Sequence, residues 1–332
     1  MVDTVGIGGI KLSGKLIQVD FLERKTPGEK LIRFLRRIAS AKISIPHLHQ
    51  GEAGKAMQTT ICIGAEDFQG LQADTDAETP EGWSRILPSV GTISLFPHGH
   101  DLSLCSRAIS ALAQKNIPLY GISSSVSTLV IHTDYSLLDS AAEALLTVCR
   151  LPKNHTPLRP VVLLDGEAVE TVAVYWEPKI RIYGMEIIKD LISVQLDCPA
   201  AVLQGDCRHE FRALKGKFRQ VALQTGPQDR VTCVFLVEPG GRDQICAGLE
   251  KIAECQPGSH LAVGVGRELI SFHGPHFHDR YGIAGLTFST LMKNGITALA
   301  SGCTGTSVHL VVAAGMSEHV EKCLKEICII PQ

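Results

Sequence analysis

Internal repetition constrains this chain more than any other feature. The segment from Val90, VGTISLFPHGHDLSLCSRAISALAQKNIPLYGISSSVSTLVIHTD, returns in outline from Glu268 as ELISFHGPHFHDRYGIAGLTFSTLMKNGITALASGCTGTSVHLVVAAG. Both read as a strand, a His-rich turn ending in His-Asp, a helix, an Asn-Ile or Asn-Gly-Ile junction, a small-polar strand and an apolar strand. A fainter pair links the segment from Lys15 to that from Asp190. Ile17 aligns with Ile192 and Ile93 with Ile270, at offsets of 175 and 177 residues. Near-equal offsets indicate that a two-part unit was duplicated whole. Repeated units of this size bury their apolar faces against one another.

Hydrophobic periodicity gives the elements. In the last copy Leu269 to His273 reads as a strand, Ile283, Leu286 and Leu291 mark one face of a helix, and Ser307 to Val312 is a β-branched run. Val320, Cys323, Leu324 and Ile327 recur at i, i+3, i+4 and i+7, so a second helix closes the copy. Leu138, Ala141, Leu145 and Val148 close the second copy, and Ile245, Leu249 and Ile252 the third. The first is least regular: after a strand near Thr60 to Ile63 the acidic stretch AEDFQGLQADTDAETPEGWSR has little helical periodicity, which predicts a short or absent helix. Extra strands are expected at Ser259 to Gly264 and Pro160 to Leu164. The order β-α-β-β-α predicts an α+β fold of four ferredoxin-like modules (βαββαβ) in two tandem pairs. Their expected bounds are 1–80, 86–150, 170–257 and 258–332, with a linker at 151–169. The free sheet face needs cover, which side-by-side pairing of modules within or between chains supplies, and a homodimer is the expected assembly.

Composition limits the function classes. A formal net charge of -2 gives no field to attract nucleic acid or an anionic membrane. No apolar run approaches the roughly 20 residues that span a bilayer. The eleven cysteines form no CxxC pair and several sit in apolar runs. That suits reduced thiols and a cytoplasmic location. The run GIKLSGK from Gly9 fails as a phosphate loop, because Leu16 stands where Ser or Thr would hold magnesium and a strand follows. Arg33, Arg36, Arg37 and Lys42 read as the solvated side of a helix whose other face is Leu31, Leu35 and Ile38.

The run from Val263 to Val312 resembles the second ACT domain of aspartokinase. Tyr281, Gly282, Ile283 and Ala284 stand at that family's helix start, and Ser301, Gly302, Cys303, Thr304 and Gly305 at its Ser-rich strand. Thr26, Pro27 and Gly28 make a Pro-Gly turn of the general ACT kind. The family's glutamate after the paired serines is replaced by Val126 and Gly305, and Pro-Gly is lost in copies two and four. The Lys-Phe-Gly-Gly-Thr signature of the kinase domain does not occur in the sequence. The resemblance therefore implies a duplicated regulatory region: a chain that is not an enzyme, needs no cofactor or metal, binds a small amino acid, and acts on a partner enzyme of amino-acid metabolism.

Each turn before an opening helix ends at unpaired backbone N–H groups, where a ligand carboxylate can settle. The candidate ligand-binding residues are Pro27 and Gly28 in copy one, and His98, His100, Asp101, Ser124 and Ser125 in copy two. In copy four they are His276, His278, Asp279, Gly282, Ile283, Ser301 and Thr304. Asp101 and Asp279 equally suit helix N-caps, and the serines equally suit strand edges. The alternative chemistry is a metal-binding or small catalytic protein using the His-rich turns at 98–101 and 273–279.

Overall fold

The computed structural model describes residues 4–23, 28–53, 56–73, 83–155, 158, 179–203, 208–226, 229–275, 277, 281–304 and 306–329. The first half runs β1 (Val5–Gly6), β2 (Gly9–Leu12), β3 (Leu16–Glu23), α1 (Glu29–Ser40), β4 (His47–Ala53), β5 (Ala56–Gly64), α2 (Ala65–Ala73), β6 (Trp83–Phe96), α3 (Leu102–Gln114), β7 (Gly121–Ser124), β8 (Leu129–Asp134), α4 (Leu138–Leu146) and β9 (Cys149–Arg150). The second half runs β10 (Ile180–Arg181), β11 (Gly184–Pro199), α5 (Arg208–Ala213), β12 (Gln220–Thr225), β13 (Arg230–Val237), α6 (Arg242–Cys255), β14 (His260–His273), α7 (Ile283–Lys293), β15 (Ala300–Thr304), β16 (Ser307–Ala313), α8 (Ser317–Ile327) and β17 (Cys328–Ile329).

The helices bury the faces their periodicity marks. In α1 Leu31, Leu35 and Ile38 are buried while Arg33 and Arg36 are exposed. In α6 Ile245, Leu249 and Ile252 are buried. In α7 the stripe runs through Ala284, Thr287, Phe288 and Leu291, which turns Leu286 outward at 40% exposure, against the expectation that it shares the inner face. The short helix of the first half is α2, nine residues of the acidic stretch. The strand expected from Ser259 is the opening half of β14. The strand expected at 160–164 lies outside the described residues, as do Pro27, His276, His278 and Asp279.

The strands form one mixed α/β architecture around a large antiparallel ladder. Thirteen strands follow the order β2-β6-β3-β5-β4-β15-β16-β14-β11-β13-β12-β7-β8, and β6 also pairs β8, so the ladder closes on itself. The duplication is visible in its register. Leu12 pairs Ile93 as Ile187 pairs Ile270, and His132 stands across from Gly121 as His309 stands across from Gly302. The halves join at two seams, β4 with β15 and β7 with β12. Strands of the two halves are thus paired side by side within the chain, one of the two ways of covering the modules that the sequence left open.

Two apolar cores lie between helices and ladder. One gathers α1, β3, β5, α7, β16 and α8 around Phe21, Leu35, Phe272 and Phe288. The other gathers α3, α4, α6, β11 and β13 around Ile109, Leu145, Phe211 and Phe235. Gly274, just past β14, shows how closely the layers meet: a Cβ there would collide with the carbonyl oxygen of Arg181 and stand 3.0 Å from Cα of Ile182. Gly274→Ala is therefore expected to cost about 1–3 kcal/mol, the usual penalty of overpacking against backbone, read as a lower urea midpoint at unchanged m-value. Among the described residues no helix is long and apolar enough to cross a membrane.

Candidate functional site

The inner face of the ladder is polar along the first half's strands, whereas Leu191, Leu236, Leu269, Ala300 and Val311 make an apolar patch along the second half's. Strands β3, β4 and β5 face β7, β8 and β12, and their side chains bond across the gap. His132 Nδ1 donates to Gln18 Oε1 at 3.2 Å, and Cys62 Sγ lies 3.6 Å from the same nitrogen. Ser123 Oγ is 3.3 Å from His47 Nε2, and Gln224 Nε2 donates to Thr60 Oγ1 at 3.3 Å. Gln50 Nε2 donates to Thr59 Oγ1 at 2.8 Å, and Ser301 Oγ donates to Gln50 Oε1 at 3.1 Å.

Four imidazoles sit in this layer. The rings of His47 and His132 meet edge to face at 4.3 Å, and those of His49 and His309 lie 6.4 Å apart. All four are below 5% exposed. Burial holds His49 down to about 3 and His132 and His309 to about 4, and holds His47 well below the ordinary histidine value. They are neutral at pH 7. The close approach of His309 to its neighbour strand requires Gly302, since a Cβ there would overlap the imidazole.

A fully buried carboxylate, Asp20, lies in the same layer. Asp20 is 1% exposed and accepts from Arg85 Nε at 2.7 Å, Thr60 Oγ1 at 2.8 Å and Gln18 Nε2 at 3.1 Å. Burial raises its pKa, opposed by the Arg85 charge. Arg85 reaches on across the gap to donate to Thr225 O at 2.7 Å and Thr225 Oγ1 at 2.9 Å.

The His-rich turn of the first half opens beside this layer. His98 is buried, with Nε2 3.0 Å from Ser125 O, and its Nδ1 accepts from His100 N at 2.9 Å. Burial lowers its pKa to about 4. Asp101 caps α3 by accepting from Ser103 N at 2.9 Å. His100, Ser124 and Ser125 line a cleft of about 430 Å³ together with Arg219, Glu186 and Gln220. Burial, then the Arg219 charge, lowers the His100 pKa, and its Nδ1 has no hydrogen-bond partner. Ser124 Oγ accepts from Val221 N at 2.8 Å, which ties the cleft to the β7–β12 seam.

The other candidate residues lie apart from this cleft. At Gly28 the start of α1 is met by the chain's own Glu23 carboxylate, which a Cβ at Gly28 would overlap. Burial raises the Glu23 pKa, opposed by the backbone N–H groups at the start of α1. Gly282 is the N-cap of α7 with φ +84°, and Ile283 is buried behind it. Ser301 bonds Gln50 in the layer, and Thr304 Oγ1 is 3.2 Å from Ser307 Oγ. Among the described residues no three His, Cys, Asp or Glu side chains gather as metal ligands.

The fold matches that of part of a solved enzyme structure. The crystal structure of aspartate kinase from Synechocystis superposes with a TM-score of 0.76 over 97% of this chain at 15% identity, and the chain spans 55% of that protein's length. Regulatory subunits of aspartate kinase from Thermus thermophilus and Thermus flavus align over 43% of the chain at 14% identity, each with a TM-score of 0.34, and add no weight to the fold assignment. No family model matches the sequence. No curated protein matches it either. The likeness shows a shared fold. It also corrects one expectation: the reading of the chain as no enzyme is opposed by the finding that the structure sharing its fold over 97% of its residues is an aspartate kinase, of which the chain spans 55%.

Proposed function

We propose that the chain is an effector-sensing region of an aspartokinase-type enzyme, built from four ACT-type modules in two tandem pairs, with a small amino acid as effector. The proposed modules are 1–80, 86–150, 170–257 and 258–332. One observation carries the reading: His100, Ser124 and Ser125, from the turn and strand where this fold would hold an effector, share one cleft with Arg219 and Glu186. A guanidinium suits a ligand carboxylate, a carboxylate suits its ammonium, and hydroxyls and a neutral imidazole suit a short polar side chain. The cleft adjoins the β7–β12 seam between halves, so a ligand there would bias how the halves meet, and coupling of about 1–3 kcal/mol is typical of such effects.

The test is a thermal-shift screen of the full chain with the twenty amino acids. One or two are expected to raise Tm, since ligand at about a hundred times Kd adds about 2.7 kcal/mol. Arg219→Ala is expected to abolish that shift while leaving the unliganded Tm close to wild type. A screen with no responder, or a shift indifferent to Arg219→Ala, refutes the assignment.

A further inference from the structure

The two halves differ at one point of their shared layer. In the first half Asp20 stands across from Thr60 on one side and Arg85 on the other. Its duplicate, Gln195, stands across from Val234 and Ala262. The carboxylate and its two donors, the guanidinium and the hydroxyl, are therefore lost together. On the next strand His49, which stands across from Thr60, has Ala222 as its duplicate, across from Val234. Asp20 and Thr60 are 1% and 6% exposed, whereas Gln195 and Val234 are only half-buried. Where the first half is filled, the second half holds a cleft of about 500 Å³.

The lining has a definite chemistry. Ala222, Val234, Leu236 and Val311 form an apolar wall. Two opposite charges, Arg267 and Glu52, belong to the same cleft. Arg267 Nε donates to Ser193 Oγ at 3.2 Å, which fixes the guanidinium at the cleft. His49, 2% exposed, also lines it and leaves Nδ1 without a hydrogen-bond partner, an expensive state for a buried polar atom.

We propose that this cleft binds a small apolar α-amino acid, with its carboxylate on Arg267, its ammonium on Glu52 and its side chain against Ala222, Val234 and Val311. The ligand brings to the second half the pair of opposite charges that the first half carries in its own side chains as Asp20 and Arg85. The site is distinct from the cleft at His100, although Gln220 lines both.

Isothermal titration of the full chain with L-valine, L-leucine and L-methionine tests this, with isoamylamine and 4-methylpentanoate as leucine lacking one charge each. At least one amino acid is expected to bind and both analogues to fail. Arg267→Ala and Glu52→Gln, both at the solvent-accessible side, are each expected to weaken Kd about tenfold or more, the scale of a charge-assisted hydrogen bond. Arg219→Ala is expected to leave this binding unchanged. Binding abolished by Arg219→Ala and untouched by Arg267→Ala overturns the proposal while sparing the other cleft. The reverse pattern upholds it and leaves the cleft at His100 to be judged by its own ligand. Absence of heat from all three amino acids at millimolar concentration, or equal binding of the analogues, also overturns it.

Discussion

Between pH 7 and pH 5 the four imidazoles of the polar layer are expected to remove about 8 kcal/mol of stability, to which His98, held at about 4 by burial, adds a fifth share, together comparable to the whole of a typical domain's. His47, His49, His132 and His309 are neutral and buried between strands, with folded pKa values depressed below the ordinary 6.5. Once unfolded they bind protons near that value. The unfolded chain therefore holds more protons throughout the window from about 6.5 down to the folded values near 3–4, so stability is whole above that window and falls as pH drops through it. Each group contributes about 1.4 kcal/mol per pH unit below 6.5. Asp20 faces the same layer with a raised pKa and works in the opposite direction, as one group against four. Cys62 lies beside His132 as a neutral thiol, its pKa pushed up by burial. Urea unfolding at pH 7.5 and pH 5.0 measures the loss, and His132→Gln with His309→Gln is expected to reduce it by about 4 kcal/mol. A midpoint that barely moves between the two pH values would show that these imidazoles are not held neutral.

Arg85→Met is expected to destabilise by about 3–5 kcal/mol, because it strands the buried Asp20 carboxylate without its counter-charge. The ion-pair carboxylate has only 2% of its side chain exposed, whereas the arginine keeps 31%. The penalty falls mainly on the aspartate. Two consequences separate this cause from simple loss of packing. The deficit relative to wild type should shrink as pH falls, since a protonated Asp20 needs no partner. Pairing Arg85→Met with Asp20→Asn should restore much of the stability. A double variant as unstable as Arg85→Met alone would mean that the bonds from Arg85 to Thr225 matter more than its charge.

Much of the candidate cleft was legible in part. His100, Ser124 and Ser125 were marked by the repeated turn and the small-polar strand, but their partners Arg219, Glu186 and Gln220 come from distant strands that no local pattern connects. The four imidazoles were missed for a different reason. In β4 the run His47-Leu48-His49-Gln50 alternates polar and apolar, and that pattern ordinarily marks one face on the core and one in water. Leu48 does face the core. His47 and His49 face a second sheet layer instead, and both are buried. The same holds for Gln18 and Asp20 on β3 and for Gln220 and Gln224 on β12. Alternation reports which residues share a face, and says nothing about what covers it.

The amino-acid order alone determined the duplication, the helices and the strands, because these depend on spacing within a few residues and on an offset of 175 to 177. It also placed the likeness to the aspartokinase regulatory fold, from the helix start at Gly282 and the small-polar strand at Ser301. Only the tertiary structure decided that the ladder closes through β6 and β8, that a polar layer lies inside it, and that one duplicate of that layer is filled while the other is open. Those outcomes depend on which faces meet across the gap, and two faces far apart in the chain are brought together by packing rather than by any local preference of the backbone.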